Sequence, residues 1–172
     1  MTIKSARRWL GGRRQAGRAR PKSRGGLAGL RAVAAIFGLA VQRFLVGVVV
    51  VHGESMAPNF SDGQICFVRK SPGGLARGDV VIACDAQGLS IKRVVGLPNE
   101  CVVFRCGRVF VNGRALAEPY LQEQTRTYPV FQTRFTLGPH QYFVLGDNRS
   151  HSEDSRVYGQ VKAESILGRV ML

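Results

Sequence analysis

Histidine is scarce in this sequence, with three in 172 residues (His52, His140 and His151), and there is no H-E-x-x-H and no C-x-x-C. The histidines do not cluster and the four cysteines lack ligand spacing, which argues against a zinc centre. A phosphate-binding loop is missing, so nucleotide chemistry has no cradle. No G-x-S-x-G elbow displays a serine. Beyond residue 51 no stretch keeps a helical period over about 11 residues, which argues against a helical core. The chain also lacks repeats and low-complexity tracts. Acidic residues are absent from residues 1–31, although that segment carries ten Lys or Arg. The other 141 residues hold 15 bases and 11 acids, a net charge of +4, so the formal +14 of the whole chain describes a tail and not the folded part.

What is present begins with an apolar stretch behind that tail. Residues 25–41 read GGLAGLRAVAAIFGLAV, with Arg31 as the single charge, near enough to the basic end to snorkel. A spanning helix needs about 20 apolar residues, with roughly 17 as the lower limit. A single spanning helix over 26–43 is the preferred expectation, and an amphipathic helix lying in the interface is the alternative. Residues 1–25 are then a basic tail without fixed structure, and by charge bias the N-terminus is cytoplasmic. The folded domain is 44–172, outside the cytoplasm. A cleaved signal peptide fits less well, because no small-x-small site follows the apolar run directly.

Along that domain the period is two. Strands are expected at 64–69, 79–84, 89–95, 101–105, 108–111, 141–145 and 166–171, with turn chemistry at Ser61-Asp62-Gly63, Ser71-Pro72-Gly73-Gly74, Asn112-Gly113 and Gly138-Pro139. Cys106-Gly107 marks a hairpin between two of these runs. The expected fold is mainly β, in antiparallel sheets. The cysteines permit two arrangements: bridges, with Cys101–Cys106 across the hairpin and Cys66–Cys84 in neighbouring strands, or free thiols throughout.

Three segments carry chemistry. In Gly53-Glu54-Ser55-Met56-Ala57-Pro58 a serine follows an apolar strand and precedes a proline that stiffens the next turn. Alone it reads as an ordinary turn serine. In Ile91-Lys92-Arg93-Val94-Val95-Gly96 a lysine stands among apolar residues. Lost hydration disfavours its charged form, and a neutral lysine can serve as a general base for a serine. Alone it reads as a solvated strand lysine. The third segment, 146–156, reads GDNRSHSEDSR, a polar loop after an apolar strand, and alone it is a surface loop closed by an Asp–Arg pair.

Together and in this order, S-M-A-P at 55–58, K-R-V-V-G-L-P-N-E at 92–100 and G-D-N-R-S-H-S-E-D-S-R at 146–156 resemble the bacterial signal peptidase I family of Ser-Lys serine endopeptidases. The resemblance covers about residues 31–172. It implies a β-rich catalytic domain behind one N-terminal membrane helix. Ser55 is then the nucleophile and Lys92 the general base. Ser152 would hydrogen-bond and orient the lysine, and Asp154 and Arg156 would form a supporting charged pair. Met56 and Pro58 would shape the turn after the nucleophile, and Asp147, Asn148 and Arg149 would support the site within the third segment. Gly53 stands where some members carry a serine that assists the oxyanion, so here backbone donors or water must serve. Asn99 replaces a glycine after Leu-Pro, which Asn tolerates at positive φ, and Asn59-Phe60 stands where Thr-Leu is common.

The implied reaction removes N-terminal signal peptides from exported preproteins after small-x-small, Ala-x-Ala-like sites. No cofactor or metal is implied. The partners are secretory preproteins and membrane lipid, with no nucleic acid, and the place is the plasma or inner membrane, crossed once. Other classes fit less well. A self-cleaving repressor needs a helix-turn-helix, for which residues 1–31 are too short and too rich in Gly and Arg. A nucleic-acid-binding protein leaves the apolar run unexplained. An inactive β scaffold leaves Ser55 and Lys92 together without a reason.

Overall fold

A computed structural model describes residues 46–70, 73–85 and 88–171 of the chain. The expected basic tail and the helix at 26–43 lie outside the described residues. The strands follow in sequence as β1 Val46–Val50, β2 Ile65–Lys70, β3 Val80–Asp85, β4 Gly88–Gly96, β5 Cys101–Arg105, β6 Arg108–Val111, β7 Arg114–Ala115, β8 Arg134–Thr136 and β9 Gln141–Leu145. After β9 come a one-turn helix α1 (Ser155–Tyr158), β10 (Val161–Lys162), a 3-10 turn (Ala163–Ser165) and β11 (Ile166–Val170). The architecture is mainly β and antiparallel, as expected. A seven-stranded sheet runs in the order β1-β2-β11-β3-β4-β9-β10, and a four-stranded sheet in the order β7-β6-β5-β8.

Local chemistry explains the connections. The two tightest hairpins turn on Cys106-Gly107 and Asn112-Gly113, with φ of 52° and 69° in the first and 51° and 80° in the second. Positive φ at both central residues matches the right-handed twist of the flanking strands. Asn99 sits at φ 65°, so the expected substitution for glycine keeps its turn.

β4 is the element that organises the interior. Its residues 91–96 are buried on both faces. Ile91 joins the cluster of Val51, Met56, Phe60, Cys66 and Val68; Val94 joins that of Val81, Val144 and Ile166; Val95 joins that of Val102, Phe135 and Phe143. A strand covered on both sides reads as a near-continuous apolar run, which is what makes Lys92 and Arg93 conspicuous in it.

All four cysteines are free thiols. The weighed bridges fail on topology. β11 lies between β2 and β3, so Cys66 and Cys84 are not in neighbouring strands. Cys106 sits at the hairpin tip, while Cys101 begins β5 and pairs with Thr136 of β8. Five residues of extended chain separate them by roughly 16 Å, against about 7 Å at most for a bridge. Burial pushes the Cys66 thiol pKa up.

Candidate active site

β1 delivers the chain into a tight loop bearing Ser55. Gly53 takes φ +82°, a conformation that a side chain strains, and its N–H donates to Asp62 Oδ1 at 2.8 Å. Either side of the serine, Val51, Met56 and Phe60 are buried in one apolar cluster. Inside the loop, Ala57 N–H donates to the Glu54 carbonyl at 3.0 Å and Phe60 N–H to the Met56 carbonyl at 3.0 Å. The Ala57–Pro58 peptide is cis. Ser55 is thereby displayed from a loop whose flanks are sunk in the core.

Lys92 reaches it from β4, where it pairs across from Val81. The side chain is 4% exposed, and Nζ lies 3.1 Å from Ser55 Oγ and 3.1 Å from the Ile91 carbonyl oxygen. The two residues are 37 positions apart in sequence and within hydrogen-bond distance in space. They share a groove of about 400 Å3 whose wall is mostly apolar, including Val49, Val51, Ile82, Leu89 and Ile91. β9 pairs only with the Arg93–Gly96 half of β4, so the Leu89–Lys92 half borders the groove. His52 lines the groove too, and all three histidines are exposed.

The loop after β9 clamps the serine from behind. Asn148 N–H donates to the Ser55 carbonyl at 3.0 Å, and the Asn148 side-chain amide donates to the Glu54 carbonyl at 3.1 Å. Asp147 accepts twice from Arg93, at 2.8 and 2.5 Å, and once from the Asn59 amide at 2.8 Å. Asp154 caps α1, accepts from Arg156 Nε and Nη2 at 2.8 Å each, and accepts from Gly146 N–H at 3.0 Å. Four charged side chains of this loop, Asp147, Arg149, Asp154 and Arg156, are buried, each with an opposite charge in contact.

Ser152 departs from its expected contact. Its hydroxyl is buried without a hydrogen-bond partner among the described residues, so the bond to Lys92 is not formed. It packs instead against Gly146. A Cβ at Gly146 would stand 2.1 Å from Ser152 Oγ and 2.5 Å from the Ser55 carbonyl oxygen. Gly146 is thus the gap into which the serine backbone and the Ser152 side chain both fit.

Several functional neighbours have no signature in sequence. A strap between β7 and β8 ties itself to the same loop. Glu118 pairs with the Arg149 guanidinium, Thr127 Oγ1 accepts from Arg149, and the Tyr120 carbonyl accepts from Asn59 at 2.8 Å. Tyr120 OH donates to Glu118 at 2.9 Å, and the Arg93 guanidinium lies 4.2 Å over the Tyr120 ring. Burial, with the Glu118 carboxylate adding to it, pushes the Tyr120 hydroxyl pKa up. One signal was available. Arg93 in an apolar strand must find a buried partner, but its identity depends on the packing of distant segments.

Among the described residues no group of three or more His, Cys, Asp or Glu is placed to hold a metal ion. The chemistry on offer is that of a serine hydroxyl beside a buried amine.

Comparison with known proteins places the chain in a family. Residues 26–172 match the family described as signal peptidase, peptidase S26. Signal peptidase IB of Staphylococcus aureus (strain COL) is 32% identical over 158 residues, covering 81% of this chain and 83% of that protein. Signal peptidase I of Bacillus licheniformis is 35% identical over 136 residues, covering 72% of this chain and 73% of that protein. The crystal structure of a signal peptidase I from Enterococcus faecalis V583 aligns with a TM-score of 0.49 at 28% identity, over 59% of this chain and 100% of that one. The chain belongs to the signal peptidase family, peptidase S26, and is a serine endopeptidase.

Proposed function

We propose that this enzyme removes signal peptides from exported preproteins by a Ser55–Lys92 dyad, cleaving after small-x-small sites. The observation that carries the proposal is the 3.1 Å contact between Lys92 Nζ and Ser55 Oγ, with Lys92 only 4% exposed. A buried amine loses the hydration that stabilises its ammonium form, which favours the neutral base. The neutral amine takes the Ser55 proton as Oγ attacks the scissile carbonyl. The resulting ammonium protonates the leaving amine, and water then releases the acyl chain from Ser55.

The surrounding residues take supporting roles. Met56 and Pro58 hold the turn, and Gly53 reverses the chain ahead of it. Asn148 anchors the carbonyls of residues 54 and 55, while Asp147, Arg149, Asp154 and Arg156 keep its loop in shape. Ser152 limits the space beside Gly146. The Ser55 N–H is one candidate oxyanion donor, of a type worth about 100- to 1000-fold in rate.

The groove supports the substrate class. An extended peptide laid along the Leu89–Lys92 half of β4 gains main-chain hydrogen bonds, and its alternate side chains meet an apolar wall. Short side chains let the scissile carbonyl approach Ser55, which fits small residues at alternate positions.

Among the described residues no helix is long and apolar enough to cross a membrane. The proposed anchor is the apolar segment 26–43, with residues 1–25 cytoplasmic and the catalytic domain outside, a single pass through the plasma or inner membrane. The test compares the parent with Ser55→Ala and Lys92→Ala, as full chains in membranes or detergent, on a precursor ending in Ala-x-Ala. Cleavage after the small residue, lost in both variants while their thermal melts match the parent, is the expected outcome. Cleavage surviving in Lys92→Ala rejects the assigned base.

A further inference from the structure

Beyond Ser55 along the chain lies a second cleft, of about 500 Å3, bounded by Ala57–Pro58, by strap residues 121–126 and by the 147–150 turn. It shares no lining residue with the apolar groove, and the serine loop contributes to both, Ser55 to the groove and Ala57 and Pro58 to the cleft. Its strap wall is held at both ends: Glu118 and Thr127 bind Arg149, and the Tyr120 carbonyl binds Asn59.

Acyl transfer through one serine needs room for two chain halves. The acyl half stays bonded to Ser55 Oγ, and the other half leaves with the amine that Lys92 protonates. The groove around Lys92 is apolar, whereas the cleft presents Gln122, Gln124, Thr125, Asn148 and Ser150. Its charges are unequal. Asp147 is paired with Arg93 and Arg149 with Glu118. Arg126 donates to the carbonyls of Glu123 and Thr125, and among the described residues it has no carboxylate in ion-pair range. Among the described residues that line the cleft, Arg126 is therefore the charged side chain without an opposite charge in contact.

We propose that this cleft binds the polypeptide on the C-terminal side of the scissile bond, and that Arg126 makes it favour an acidic residue there over a basic one. The proposal rests on Ser55 being the nucleophile. It adds a preference set by the part of the substrate that survives cleavage.

The test uses the full chain in detergent and three precursors that differ only within the first four residues after the cleavage site, carrying Glu, Gln or Lys. In the parent, kcat/KM is expected to rank Glu over Gln over Lys with about a two- to fivefold spread, the size of one exposed ion pair. The spread should shrink as salt is raised. Arg126→Glu should reverse the order. Because the Arg126 stem packs against Gly107, a second variant guards against a folding artefact. Gln124→Glu, on an exposed side chain, should weaken the Glu precursor relative to the Lys precursor without disturbing that packing. A parent that cleaves after the small residue but ranks the three precursors equally, or a ranking unchanged in both variants, overturns the cleft assignment alone. Cleavage that persists in Ser55→Ala overturns the dyad itself.

Discussion

Two loops meet at Ser55, and they are held by opposite means. The 51–60 loop is anchored by hydrocarbon: Val51, Met56 and Phe60 sink into one cluster, and two turn hydrogen bonds, Ala57 N–H to Glu54 and Phe60 N–H to Met56, close the chain between them. The 146–156 loop is anchored by charge, with Asp147 on Arg93, Arg149 on Glu118 and Asp154 on Arg156, all out of water. The contrast bears on tolerance. An apolar anchor asks for volume and accepts a near match. A buried ion pair asks for its partner, and removing one half strands an uncompensated charge.

The largest expected effect follows from that asymmetry. Asp154→Ala leaves Arg156 buried and unpaired and removes the acceptor for Gly146 N–H, so it should cost about 3–5 kcal/mol in urea unfolding. Asp154→Asn, which keeps the volume, should recover little of it. A near-normal Asn variant would break the contrast between the loops. On the other side, Met56→Ala should cost about 2–5 kcal/mol through the cavity it leaves. Met56→Leu should cost less than about 1.5 kcal/mol and keep most of the cleavage rate. A Leu variant as damaging as Ala would mean that the serine loop, too, depends on one particular side chain.

Gly146→Ala probes the seam between the loops. A methyl there needs space held by Ser152 and the Ser55 carbonyl, so about 1–3 kcal/mol of stability should go. Cleavage should fall further than the folded fraction does, because the displaced group belongs to Ser55, the proposed nucleophile. Activity tracking the folded fraction would place the strain elsewhere.

The smallest effect is at alkaline pH. The Tyr120 hydroxyl has its pKa raised above the ordinary 10.0, by burial first and by Glu118 next. The unfolded chain therefore releases this proton first. Its share of stability is intact below pH ~10 and is lost as pH rises through the higher folded-state value. Tyr120→Phe should lose less stability than the parent across that window, in urea midpoints measured on either side of pH ~10. Equal losses would remove Tyr120 from the alkaline transition.

How far all this was legible varies by residue. Strands β2 to β6, β9 and β11 were readable within a residue or so, because their side chains alternate or run apolar over four to nine positions. Strands β7, β8 and β10, of two or three residues, carry no period and exist because a partner strand offers them a ladder. Between bridged and free cysteines the sequence left both open, and for Cys66 and Cys84 the choice fell to β11, which returns from the far end of the chain to part β2 from β3. Ser152 was expected on Lys92, and it fills a space beside Gly146 instead.

Taken by itself, the sequence determined the β class, the turn positions and three segments whose order and resemblance mark a member of the signal peptidase family. These are properties of short stretches: periodicity, positive-φ residues and side-chain type are written locally. Tertiary structure alone decided that Lys92 lies 3.1 Å from Ser55, that Asn148 clamps the serine carbonyl, and that Glu118 and Tyr120 brace the loop from a strap with no signature of its own. The contacts of Ser55 with Lys92 and Asn148, and of Glu118 with Arg149, join residues 31 to 93 positions apart. Their partners are chosen by strand order and by the need of each buried charge for an opposite one, which no local window of sequence contains.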